Sequence, residues 1–66
     1  MEDIDIWRTA KAMINQYGED ALIMAAQRID ELMASGDIDG RIVWRRVYFA
    51  IEELLRTEGS PQRTVH

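Results

Sequence analysis

Residues 39–57 read Asp-Gly-Arg-Ile-Val-Trp-Arg-Arg-Val-Tyr-Phe-Ala-Ile-Glu-Glu-Leu-Leu-Arg-Thr. Val43, Trp44, Val47, Tyr48, Ile51, Leu54 and Leu55 recur at the i, i+3, i+4, i+7 spacing of one helix face. Asp39 is placed to cap the start of this helix, and Gly59 and Pro61 stop it beyond Thr57. Ile42 and Phe49 fall about 150° from the centre of the stripe, among Arg45, Arg46, Glu53 and Arg56. They are seven residues apart, two turns along one side of the helix.

Working back from this helix, the punctuation is sparse. Gly18, Gly36, Gly40 and Gly59 are the only glycines and Pro61 the only proline. A second helix is predicted from about Glu19 to Ala34, with Leu22, Ala25, Ala26, Ile29, Leu32 and Met33 on its stripe. A first is predicted from Asp3 or Asp5, either of which can cap it, to Tyr17. Its apolar face carries Ile6, Trp7, Ala10, Met13, Ile14 and Tyr17, and Gly18 ends it. No stretch alternates with the period of two that a strand requires. The expected fold is all-α: a compact three-helix bundle with short loops over residues 1–57. A flexible polar tail is expected over residues 58–66.

Composition narrows the function. A chain of 66 residues supports one small domain, which buries only ~60% of the surface its unfolded form exposes. There is no cysteine, and the only histidine is His66, so disulfides, thiolate metal sites and histidine-based catalysis are not expected. No nucleophile–base pair or phosphate loop is present, and a domain this small leaves little room for a ligand pocket. The expectation is a protein that is not an enzyme, with no cofactor and no small-molecule substrate. The net charge of -4 argues against bulk attraction to nucleic acid or an anionic membrane. No apolar run approaches the ~20 residues of a membrane span and no export signal is read. A bacterial cytoplasm is the expected compartment.

Several short segments carry a further likeness. They are Ile6-Trp7-Arg8-Thr9-Ala10, Tyr17-Gly18-Glu19-Asp20-Ala21, Ala26-x-Arg28-x-Asp30-Glu31-Leu32, Gly36-Asp37-x-x-Gly40, Val43-Trp44-x-Arg46 and Ala50-Ile51-Glu52-Glu53-Leu54. In these the chain resembles a family of short, uncharacterised helical bacterial proteins, a domain of unknown function. The likeness spans about residues 4 to 56 and implies no activity, cofactor or catalytic residue.

Ser35 to Gly40 has the outline of a calcium loop, with Asp37 and Asp39 at its third and fifth positions. The twelfth position, which needs a bidentate glutamate, is Arg46. A double helix cap explains the segment better. Glu52 and Glu53, like Glu19 and Asp20, are chain neighbours, and on a helix such pairs point about 100° apart and do not converge. Arg28 lies at the edge of the second helix's stripe. It calls for a carboxylate partner, with Asp37, Asp39 or an acid of the first helix in reach, or else it binds an anion. Trp7 and Trp44 lie on apolar stripes, and both core and partner interface remain open for them.

The residues left off the stripes are the most informative. Ile42 and Phe49 form an apolar seam bordered by arginines, and Ile23 is similarly far from its own stripe. The third helix carries Arg41, Arg45, Arg46 and Arg56 against Glu52 and Glu53. Residues 19–39 carry Glu19, Asp20, Asp30, Glu31, Asp37 and Asp39 against Arg28. The expected function is a non-enzymatic protein–protein interaction module that self-associates, as a homodimer or larger, through Ile42, Phe49, Arg45, Arg46 and Ile23. Two alternatives stand beside it. One is a nucleic-acid-binding regulator using the arginines of the third helix, although that helix has no Asn, Gln or Lys for base readout. The other is a small accessory subunit that turns its acidic second helix to a basic partner.

Overall fold

Gly18 and the pair Gly36–Asp37 shape the backbone. A computed structural model describes residues 2–57. The first helix, α1, spans Asp3–Tyr17 and is followed directly by a 3-10 turn over Gly18–Asp20. The second, α2, spans Ala21–Ser35, and the third, α3, spans Ile38–Thr57. The described residues are all-α. The expected tail over residues 58–66 lies outside them, as does the question of where the domain ends.

Gly18 sits at φ 62°, ψ −133°, with its N–H donated to the Ile14 carbonyl oxygen. This is a region that side-chain-bearing L-residues avoid. It bends the chain without a loop, so α1 and α2 follow one another as a long bent helical arm. Both limbs pack mainly on α3 and touch each other little. The three helices are thus arranged as this bent arm with α3 laid along it. The molecule is correspondingly elongated, with principal extents of 45 × 22 × 16 Å.

At the other end, two residues suffice to reverse the chain. Gly36 takes the left-handed conformation at φ 77° and donates its N–H to Met33, at 3.2 Å. The Asp37 N–H reaches the Leu32 carbonyl oxygen at 2.9 Å, completing the paired bonds of a Schellman cap. Asp37 then opens α3. Its Oδ1 accepts the Gly40 N–H at 2.9 Å, and its carbonyl oxygen accepts the Arg41 N–H at 3.0 Å. The cap is therefore Asp37 and not Asp39, which lies inside the first turn and complements the helix dipole. At the start of α1 the capping position is Glu2, without a side-chain bond, and Asp3 and Asp5 again lie within the first turn.

The core is thin. Its buried residues are Ile6 and Ala10 from α1, Ala21 and Ala25 from α2, and Val47, Ala50 and Ile51 from α3. Four of the seven are alanines, which let helix axes approach closely but remove little apolar area from water. Every residue of the expected α3 stripe is in this core or packed against it. On α2 the buried line runs through Ala21 and Ala25, about 60° round from the expected stripe centre. Met33 is rotated out and is 55% exposed.

Candidate partner interface

The outer face of α3 begins with Ile38, at the first turn fixed by the Asp37 cap, and continues through Ile42 and Phe49. Their spacings of four and seven keep them on one side of the helix. Because Val47 and Ile51 face the core, this side points away from both limbs of the arm. Ile38 is 62% exposed, Ile42 48% and Phe49 55%.

Phe49 is the centre of the surface. It meets Tyr48 edge to face, with ring centroids 5.8 Å apart at 89°. Shallow grooves run along both sides of it. One is walled by Ile29 and Met33 of α2, with Arg41 and Arg45. The other is walled by Ile6 and Trp7 of α1, with Arg46 and Glu53. Between them Ile42, Arg45, Arg46 and Phe49 line a third, smaller hollow. Four of the five expected interface residues are thus brought together. Ile23 is not. It is 57% exposed, but it lies on α2 about 160° from the buried Ala25 and lines none of these grooves.

Trp7 and Met33 join the surface although sequence periodicity put them on buried stripes. Trp7 is 41% exposed beside the α1–α3 groove, and Met33 borders the α2–α3 groove. The available signal was their position at the stripe edge. Trp44 is different: it is half-buried and packs against the core.

Arg28 finds neither Asp37, Asp39 nor an acid of α1. Its guanidinium carbon lies 5.7 Å from the centre of the Trp44 ring, and its Nη1 lies 3.5 Å from Glu31 Oε1. It therefore clasps α2 to α3 at the surface. The calcium-loop outline dissolves as well. The Asp37 carboxylate is a helix cap, and no cluster of metal-ligating side chains occurs among the described residues.

The charges bordering the α3 ridge divide into two groups. Arg56 pairs with Glu53 on its own helix. Arg41, Arg45, Arg46 and Glu52 make no ion pair or side-chain hydrogen bond among the described residues. Such a surface can bury apolar side chains and supply guanidinium groups to carboxylates. No helix of the described residues is long and apolar enough to cross a membrane. Searches against family models, curated proteins and solved structures give no match to this chain.

Proposed function

We propose that this chain is a non-enzymatic helical interaction module that self-associates through the outer face of α3. The observation that supports it is Phe49, 55% exposed at the meeting of three grooves, while the buried core of the described residues has seven side chains, four of them alanine. A domain with so little interior gains stability by burying such a ridge against another surface. On this reading the three-helix packing expected from the sequence is completed by the assembly, which supplies the missing apolar cover. The module works without a cofactor, in a bacterial cytoplasm. The kinship with short helical bacterial proteins rests on the segments named above and adds no activity.

The experiment is molar mass by light scattering from micromolar to several hundred micromolar protein. The chain is expected to exceed its monomer mass of 7.7 kDa. The double substitution Ile42→Glu/Phe49→Glu is expected to keep the helical circular dichroism and return the mass to the monomer. A wild-type chain that stays monomeric throughout removes the proposal.

A second reading draws on Arg41, Arg45 and Arg46 having no acid partner among the described residues: these arginines would contact phosphates. It predicts binding that weakens steeply with salt and falls on Arg45→Ala or Arg46→Ala. Absence of binding to DNA and RNA at low salt eliminates it.

A further inference from the structure

The charges beside the ridge follow a pattern with a direction. Taking 100° per residue, Arg45 and Glu52 flank the Ile42–Phe49 line on one side, and Arg46 and Glu53 flank it on the other. On each side the glutamate follows the arginine by seven residues, about 10.5 Å along the axis. The first half of the exposed face is therefore cationic, and the second half holds the glutamates. Arg45, Arg46 and Glu52 are all exposed and find no partner within the described residues.

The geometry points to a specific occupant for this face: α3 of a second copy of the chain, running antiparallel, with the two-fold axis at Phe49. This rests on the self-association proposed above and fixes its direction and register. Antiparallel helices that meet face to face set each flank against the same flank of the copy. With Phe49 over Phe49, positions whose numbers sum to about 98 lie opposite one another. Arg45 then meets Glu52 of the second copy, a sum of 97, and Arg46 meets its Glu53, a sum of 99. The two-fold repeats each pair. The aromatic side chains meet at the centre, and Ile42 lies against the aliphatic stem of Arg56.

The neighbouring arrangements fail on charge. Sliding the copy by one heptad to set Ile42 over Phe49 gives a sum of 91. It brings Arg45 against Arg45 of the copy, a sum of 90, and Arg46 against its Arg46 and Glu53 against its Asp39, each a sum of 92. A parallel pair sets opposite flanks together, so Arg45 lies beside Arg46 of the copy and Glu52 beside its Glu53. Like charges so juxtaposed oppose association, and opposite charges select the register that joins them. Nothing comparable singles out a foreign partner, whereas this helix carries the complement of its own charge pattern.

The test uses Arg45→Glu, Glu52→Arg and the combined Arg45→Glu/Glu52→Arg chain, measured by sedimentation velocity over a concentration series. Both residues are exposed and unpaired among the described residues, so the variants keep the fold, which far-ultraviolet circular dichroism verifies. Each single change sets like charges face to face twice, and the dimer dissociation constant is expected to rise about tenfold or more. The combined change restores opposite charges and is expected to return to within about threefold of wild type. A combined variant as weak as the singles overturns the antiparallel register. Singles without effect, in a dimer that Ile42→Glu/Phe49→Glu still abolishes, overturn the register and leave self-association standing. A wild-type monomer overturns both.

Discussion

The Asp37 carboxylate holds the Gly40 N–H at 2.9 Å and fills the space a side chain at residue 40 would occupy: a Cβ built on Gly40 would lie 2.7 Å from Asp37 Oδ2. One carboxylate therefore serves as the α3 cap and makes glycine the best fit three residues on. Asp37→Ala is expected to destabilise the chain by about 1 kcal/mol, and Asp37→Asn much less, since both Asp and Asn cap well. Gly40→Ala should gain nothing in the wild-type chain despite alanine's helix preference of about 1 kcal/mol, because it displaces the cap. Placed on Asp37→Ala, the same change should stabilise. Urea unfolding of the four chains measures this coupling, and simple additivity would show that the cap and the glycine are independent.

Gly18 and Gly36 both have positive φ, but their ψ values set them apart. Gly36 is in the left-handed helical region, which asparagine tolerates, whereas Gly18 at φ 62°, ψ −133° is in a region reserved for glycine. Gly18→Ala is expected to cost about 1–3 kcal/mol and Gly36→Asn under about 1 kcal/mol. No heavy atom outside its chain neighbours lies within 4 Å of a Cβ placed at either site, so the difference reads backbone conformation alone. Equal losses in melting temperature would show that the bend at Gly18 is not held.

Ile51 is fully buried and is, with Val47, the largest such side chain among the described residues. Ile51→Ala is expected to cost about 2–5 kcal/mol. A core this small supports only about 3–5 kcal/mol of stability, so the variant should be largely unfolded at room temperature by circular dichroism. Met33→Ala, at an exposed site, should leave the monomer's unfolding midpoint nearly unchanged. A folded Ile51→Ala chain would locate the stabilising contacts elsewhere.

Much of this was legible in the sequence, and the gaps have physical reasons. Helix ends came within two residues because Gly18, Gly36 and the acids near them act locally. The α3 stripe was correct throughout because its large apolar residues leave one consistent phase. The α2 stripe was rotated by about 60° because alanine carries little hydrophobic signal: Ala21 and Ala25 are buried by close helix approach, which periodicity does not weigh. Ile42, Phe49, Arg45 and Arg46 stood out as a seam because four residues share one face of one helix. Ile23 was grouped with them on exposure alone, and only the tertiary structure separates its face from theirs. The exposure of Trp7 was hidden for the same reason, since it depends on how far α1 leans from α3.

The contact of Arg28 with Trp44 joins α2 to α3 at a point where the core offers only alanine and half-buried side chains. The guanidinium carbon is 5.7 Å from the ring centre, and both partners are partly exposed, so the interaction is worth about 0.5–1 kcal/mol. Its neighbour Glu31, 3.5 Å away at an exposed site, adds only a few tenths, as surface pairs one turn apart do. A double-mutant cycle of Arg28→Ala and Trp44→Leu should give a coupling of about 0.5–1 kcal/mol that changes little with salt. The same cycle for Arg28 and Glu31 should give less, and it should shrink as salt rises. If the coupling follows Glu31 and vanishes for Trp44, Arg28 serves α2 alone, and the clasp between the arm and α3 reduces to its apolar contacts.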